Sequence, residues 1–269
     1  MKTPPLLLDR DGPVATITLN RPEALNTLDF ALMDALVEAA ANVAADDDLR
    51  VVVIRGAGRH FMAGGDIRTF AGELGKPEAE RSASFRAMIG RLHSAIESLH
   101  RMPHPVVARV HGAVAGFGLS LMNACDLVIA ADDTYFASAY RNIGLTPDGG
   151  GSWALPRLVG VRRAMEILLL GERFDVQQAL AWGLVNRVVP LEQLEEETVQ
   201  WCREMLQLSP FALRLLKASF NATEDGLSGI QQLAHDTNLL FYASDEAREG
   251  RTAYLEKRRP DYGKFPKRP

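Results

Sequence analysis

Val106-Val107-Ala108-Arg109-Val110-His111-Gly112-Ala113-Val114-Ala115-Gly116-Phe117-Gly118 is the stretch that decides the fold. Its first five residues are a short apolar run of the kind a buried strand shows. A glycine-rich loop follows, and an apolar helical segment comes after it. The same order occurs upstream, where Val51 to Arg55 (VVVIR) leads through a short loop to Met62-Ala63-Gly64-Gly65-Asp66. A strand that feeds a loop opening a helix is the repeating unit of an α/β fold. Such loops expose backbone N–H groups, and the helix dipole there favours negative charge. Two of these N–H groups aimed at one point would make an oxyanion hole. The alternative is that the glycines serve ordinary strand-to-helix turns.

Outward from these loops, Val14 to Leu19 alternates like a strand and Leu127 to Ala130 is another apolar run. Between the strands, Leu32, Leu36, Ala39, Ala40 and Val43 share one face of a helix from Phe30 to Ala44, with Asp29 as its N-cap. A second helix spans Glu78 to Arg101, where Phe85, Met88, Ile89, Leu92, Ile96 and Leu99 recur at three and four until Pro103 and Pro105 stop it. After Pro190 the strand signal ends. Leu191 to Leu208, Pro210 to Asn221, Gly226 to Tyr242 and Ser244 to Lys257 read as helices. This organisation suggests a core over residues 1–200 and a small helical module over 201–269. The module buries too little surface to stand alone, so it packs on the core or on another subunit.

Composition narrows the function. The chain has 269 residues, 47% hydrophobic and 24% charged, with a formal net charge of -4, which is ordinary for a globular protein and unlike a basic nucleic-acid binder. The cluster of Lys257, Arg258, Arg259, Lys264, Lys267 and Arg268 reads as a solvated terminus or a phosphate contact. No run of 18 apolar residues predicts a membrane span. Two cysteines, Cys125 and Cys202, build no disulfide framework, and the start MKTPPLLLDR lacks the apolar core of a signal peptide. A cytoplasmic protein is expected. The six histidines give no metal-ligand pattern, because Pro103 breaks the helix that would align His100 with His104. Gly116-Phe117-Gly118 lacks the third glycine of a dinucleotide fingerprint, with Leu121 in its place.

A further glycine cluster, Gly144-Leu145-Thr146-Pro147-Asp148-Gly149-Gly150-Gly151-Ser152-Trp153, presents Asp148 either as the N-cap of a following helix or as a carboxylate at a loop tip ready to take a proton.

Taken in order, several segments resemble the enoyl-CoA hydratase/isomerase (crotonase) superfamily. They are Leu19-Asn20-Arg21-Pro22-Glu23-Ala24-Leu25-Asn26, Ala63-Gly64-Gly65-Asp66, His111 to Gly118 and Cys125-Asp126. Ala179 to Val185 and Glu249 to Arg258 continue the pattern. Each is weak alone; together they span nearly the whole chain. The resemblance implies an α/β spiral of strand-strand-helix turns with a C-terminal helical trimerisation module, and a homotrimer or dimer of trimers. It implies acyl-CoA substrates, with coenzyme A entering as part of the thioester and no resident cofactor. It maps the oxyanion donors to the N–H groups of Ala63 and Phe117. It maps coenzyme A contacts to Glu23, Ala24 and Leu25, to Ala63, Gly64, Gly65, Asp66 and Ile67, and to Tyr254 and Lys257 of a neighbouring subunit.

The chain departs from the hydratase pattern at its two glutamates. Counting from the matching glycines, these positions hold Ser120 and Tyr140, now expected only to line the substrate pocket. Neither is a carboxylate acid or base at neutral pH. The retained acid is Asp148, the position at which isomerase branches place their catalytic aspartate. Pro147-Asp148 and Trp153-Ala154-Leu155-Pro156-Arg157 are most similar to the phenylacetate-pathway epoxyphenylacetyl-CoA isomerase branch. The expected activity is therefore double-bond isomerisation of an enoyl-CoA, or rearrangement of a ring-bearing acyl-CoA, with Asp148 as single acid/base. Three alternatives stand beside it: a hydratase, a dehalogenase-like enzyme with a nucleophilic Asp148, and an acyl-CoA-binding protein without chemistry.

Overall fold

The computed structural model describes residues 3–69, 77–140, 145–222 and 244–265. The helix expected over Gly226 to Tyr242 lies outside the described residues. So does most of the loop between Phe70 and Arg81.

Nine strands carry the described part of the body: β1 (Leu6–Asp11), β2 (Val14–Leu19), β3 (Val51–Gly56), β4 (Val106–Val110), β5 (Ala113–Ala115), β6 (Leu127–Ala131), β7 (Tyr135–Ala137), β8 (Phe174–Asp175) and β9 (Arg187–Val189). They form a six-stranded sheet in the order β1-β2-β3-β4-β6-β9 and a three-stranded sheet in the order β5-β7-β8. In the large sheet only β1 runs antiparallel to its neighbour. The chain passes from one sheet to the other and then into a helix: β4 to β5 to α3 (Phe117–Asn123), then β6 to β7 and on to α4 (Gly151–Val159). The isolated parallel bridge Met62↔Val114 brings the segment after β3 to the small sheet as well. This is the strand-strand-helix spiral that the family resemblance implies, built on the α/β alternation legible in the sequence.

The apolar runs are continuous because the large sheet is covered on both faces. Val52, Ile54, Val106 and Ala108 face the main core with Leu32, Leu36 and Ala40 of α1 (Phe30–Ala45) and Leu92 and Leu99 of α2 (Glu78–Arg101). Val51, Val53, Val107 and Ile129 face the opposite side, where Leu194 and Cys202 of α7 (Leu194–Leu206) cover them. Asp29 caps α1, accepting the Leu32 N–H at 2.8 Å. Phe85, expected on the buried face of α2, is 41% exposed. The last described strand, β9, pairs parallel with β6 at the sheet edge and ends at Val189, just before the strand-free tail. Two further helices, α5 (Val161–Leu170) and α6 (Val176–Trp182), lead to β9.

Beyond α7, α8 (Pro210–Asn221) is tied to the body by Lys217, with Asn221 donating to the His100 carbonyl at 2.8 Å and Arg214 pairing with Asp47. The buried Lys217 ammonium donates to Asp126 Oδ2 at 2.6 Å, the His104 carbonyl at 3.0 Å and the Leu99 carbonyl at 3.2 Å. Three protons meet three acceptors. The C-terminal α9 (Asp245–Leu255) is capped by Ser244, and its Glu249 gathers Arg258, Lys264 and the Asp261 N–H. Among the described residues no helix is long and apolar enough to cross a membrane. Lys217→Met should lower unfolding free energy by about 2 kcal/mol in urea titrations. The cost stays below that of a fully buried pair because Asp126 keeps 27% of its side chain exposed and can be rehydrated.

Candidate active site

The two glycine loops meet back to back. Gly64 (φ +101°) and Gly116 (φ +51°) lie so close that a Cβ on Gly116 would sit 3.4 Å from Gly64 Cα, and a Cβ on Gly64 would sit 3.3 Å from the Ala115 carbonyl. Both positions need a conformation that glycine adopts without strain. Gly118 is equally confined, since a Cβ there would lie 2.4 Å from the Met62 carbonyl.

A buried asparagine fixes the approach to the first loop. Asn26, fully buried at φ +54°, donates its side-chain amide to the carbonyls of Ala57 (2.9 Å), His60 (2.8 Å) and Phe61 (3.1 Å). Its Oδ1 accepts the Arg21 N–H at 2.8 Å. The Arg21 guanidinium in turn reaches both Asp29 and Asp66 at 3.1 Å. Burial alone would raise the pKa of Asp66, but the Arg21 hydrogen bond and charge, with the N–H groups of Thr69 and Arg68, hold it below the ordinary carboxylate range. The Asn-Arg-Pro-Glu-Ala-Leu-Asn segment is thus bolted to the Gly-Gly-Asp loop.

The backbone hydrogen bonds decide which N–H groups are free, and they correct one expectation. The Ala63 N–H donates to the Leu25 carbonyl at 3.1 Å, so it is already engaged. The Gly64 carbonyl accepts from Leu28 at 2.8 Å, and the Asp66 N–H donates back to Leu28 at 2.9 Å. In a trans peptide the N–H points opposite to the preceding carbonyl, so the Gly65 N–H is turned away from Leu28. Phe117 is the first residue of α3, where an N–H has no partner within the helix. The Gly116 N–H is engaged by Ala137 at 3.0 Å. Gly65 and Phe117, rather than Ala63 and Phe117, carry the available donors.

Both residues line a cavity of about 210 Å³ with Leu28, Met88, Leu92 and Tyr140, and Asp148 is the one carboxylate among the described lining residues. Asp148 is not a helix cap. The helix begins at Gly151 with Gly150 at the cap and no side-chain bond. Instead Asp148 Oδ1 accepts the Tyr140 hydroxyl at 2.6 Å. Ser120 Oγ donates to the Asp148 backbone carbonyl at 2.8 Å and lies 3.2 Å from the Tyr140 hydroxyl. Burial raises the Asp148 pKa, and the Tyr140 hydrogen bond offsets part of that rise. Burial and the Asp148 charge push the Tyr140 phenol well above its ordinary value. The positions of the two absent glutamates therefore hold the two side chains that grip Asp148. The pairing is not readable from the sequence, in which Tyr140 and Ser120 stand 20 residues apart.

The remaining expected contacts separate into two groups. Glu23 and Ala24 belong to a short 3-10 turn (Pro22–Ala24) that ends at the left-handed Leu25, and both Leu25 and Ile67 are exposed. Tyr254 is 83% exposed at the end of α9, and neither it nor Lys257 lines the cavity of its own chain. Trp153 also lies elsewhere, packed edge-on against His100 with centroids 5.3 Å apart.

The comparisons agree with this architecture. The chain belongs to the enoyl-CoA hydratase/isomerase family, whose model matches residues 9–265. It is similar to the crystal structure of an enoyl-CoA hydratase from Mycobacterium smegmatis, at 35% identity and TM-score 0.90, over 97% of this chain and 100% of that one. An enoyl-CoA hydratase from Bacillus anthracis matches at 31% identity and TM-score 0.88, over 96% and 98% of the two chains. A probable enoyl-CoA hydratase/isomerase from Mycobacterium abscessus matches at 33% and 0.85, over 96% and 98%.

Asn26→Ala strips three buried carbonyls and one N–H of their partner at once. It should lower unfolding free energy by about 2–4 kcal/mol, read as a reduced urea midpoint with unchanged slope.

Proposed function

We propose that this chain is an acyl-CoA isomerase that moves a double bond, or rearranges a ring-bearing acyl-CoA, with Asp148 as its single acid/base. One observation carries the reading. The cavity's described lining holds one carboxylate, and the two places where hydratases of the family keep glutamates hold hydroxyl groups, that of Tyr140 bonded to the carboxylate and that of Ser120 to the Asp148 backbone carbonyl.

The thioester carbonyl lies between the N–H groups of Gly65 and Phe117. As a proton leaves the adjacent carbon, negative charge collects on that oxygen, and each donor lowers the barrier by roughly 2.7–4 kcal/mol. Asp148 takes the proton and returns it further along the acyl chain. One group suffices because no water is added. Hydration needs activated water on one side and a proton donor on the other, and one gripped carboxylate supplies only half of that. The apolar wall of Leu28, Met88 and Leu92 suits an acyl group and keeps the site dry. Coenzyme A runs over Glu23, Ala24 and Leu25 and past the loop from Ala63 to Ile67. Tyr254 and Lys257 reach it from a neighbouring subunit of a trimer or dimer of trimers. Exposed Leu216, Phe220 and Leu255 on the tail helices support such an assembly, which light scattering of the purified protein tests. A trimer or hexamer mass is expected, and a monomer would refute the shared site.

A hydratase is the second reading, favoured by the names of the similar structures. Purified protein given a 3-enoyl-CoA, and separately a 2-enoyl-CoA, distinguishes the two by product mass. Isomerisation without mass change is expected, reduced about 10²–10⁴-fold in Asp148→Asn. Efficient gain of water by the 2-enoyl substrate would overturn the isomerase reading.

The pH dependence has a definite sign. The base must be ionised, and burial raises its pKa. The rate should therefore fall on acidification at a higher pH than a free aspartate, near 3.9, would give, and the pH profile of kcat/KM measures this.

A further inference from the structure

We propose that Tyr140 is a positioning residue that confines proton transfer at Asp148 to one carboxylate oxygen, so that the proton removed from the substrate is the proton returned to it. This rests on the reading of Asp148 as acid/base.

The argument is an inventory of protons. Ser120 has one hydroxyl proton, and it goes to the Asp148 backbone carbonyl at 2.8 Å. Toward Tyr140, 3.2 Å away, Ser120 Oγ can then only accept. The phenol proton has a better acceptor in Asp148 Oδ1 at 2.6 Å, the length of a charge-assisted O–H···O⁻ bond. Oδ1 is therefore occupied. Oδ2 receives no hydrogen bond from another of the described residues, and we assign it as the oxygen that meets the substrate. Rotating the carboxylate to exchange the two oxygens would break the Tyr140 bond.

Tyr140 is itself held firmly. The residue is only 6% exposed. Its N–H donates to the Ser138 carbonyl at 2.7 Å, closing a three-residue turn around Ala139, which takes the left-handed φ of 56°. A non-glycine residue in that region costs free energy that the surroundings must offset, a pattern found at functional sites. From the other side, Gly149 (φ +55°) lets the Asp148 loop press on α3, since a Cβ there would lie 2.9 Å from the Phe117 ring and 3.0 Å from Ser120 Cβ.

The reaction balances with these groups alone. A substrate C–H bond breaks, and its proton forms an O–H bond at Oδ2. The electron pair passes to the thioester oxygen as an enolate. The same proton then leaves Oδ2 for the carbon two atoms along, a new C–H bond forms, and Asp148 is ionised again. Tyr140 keeps its proton throughout. Its bond to Oδ1 removes the second oxygen as a port through which solvent protons could enter.

The test is a single turnover of unlabelled 3-enoyl-CoA in D₂O, with deuterium in the product read by mass spectrometry. A kcat/KM pH profile accompanies it. Wild type should return mostly protium. Tyr140→Phe keeps the ring but loses the donor. It should incorporate several-fold more deuterium, and its acidic limb should move up by about one to two pH units, because the ionised carboxylate loses a stabilising hydrogen bond. Full deuterium wash-in by wild type, or a Tyr140→Phe enzyme with unchanged deuterium content and pH limb, would overturn the inference. Should circular dichroism show Tyr140→Phe unfolded, Tyr140→Met, which also removes the donor to Oδ1, is read by the same criteria. Asp148→Asn separates the two levels. If it stays fully active, the acid/base reading fails. If it is inactive while Tyr140→Phe matches wild type, only the role of Tyr140 fails.

Discussion

The site depends on a contact between two backbones. Gly64 and Gly116 are in van der Waals contact, a Cβ on Gly116 lying 3.4 Å from Gly64 Cα, and both take positive φ angles in which a side chain is strained. That approach places the peptide after Gly64 and the first peptide of α3 on the same cavity. It also explains the flanking order of the fold. Two parallel strands, β3 and β4, must end side by side for their following loops to touch, and they are adjacent and in register from Val52↔Val106 to Arg55↔Arg109. Asn26 and Arg21 then act from the third side, closing the segment before α1 onto the same loop.

Against this shared frame, the chemistry is set by what surrounds one carboxylate. Relatives of similar fold are named hydratases, and their frame is retained here to a TM-score of 0.90. On the proposed reading, the difference from a hydratase lies in the cavity wall. Hydroxyl groups at 120 and 140 can donate and accept hydrogen bonds, but they cannot hold a negative charge at neutral pH. They spend their protons on Asp148 and its loop. On the proposed reading, hydroxyl groups in place of acids leave one base where a hydratase would use two.

Much of the fold was legible because burial on both faces leaves a strong signature. Val51 to Arg55 and Val106 to Val110 are continuous apolar runs, and helix α1 shows its buried stripe and its Asp29 cap in the sequence. The strands that escaped reading have no such signature. β5, β7, β8 and β9 have two or three residues each, and β5 sits inside a segment that reads as a glycine loop. β1 carries Asp9, Arg10 and Asp11 on an exposed edge, so its pairing with β2 is a matter of hydrogen bonds and not of hydrophobic pattern.

The sequence by itself determined the apolar strands, the two glycine loops and the place of Asp148 between proline and glycines; its resemblance to the family implied the spiral and a catalytic role for that acid. Strand burial, positive-φ glycines and an acid between proline and glycines all leave local marks. Only the tertiary structure decided which N–H groups are free. Ala63 and Gly65 look alike in sequence, yet one peptide turns toward Leu25 and the other away from Leu28. It alone decided that Asp148 bonds to Tyr140 and not to the helix that follows it. Hydrogen-bond direction depends on which strand lies beside a peptide, and that neighbour is fixed only when distant segments pack.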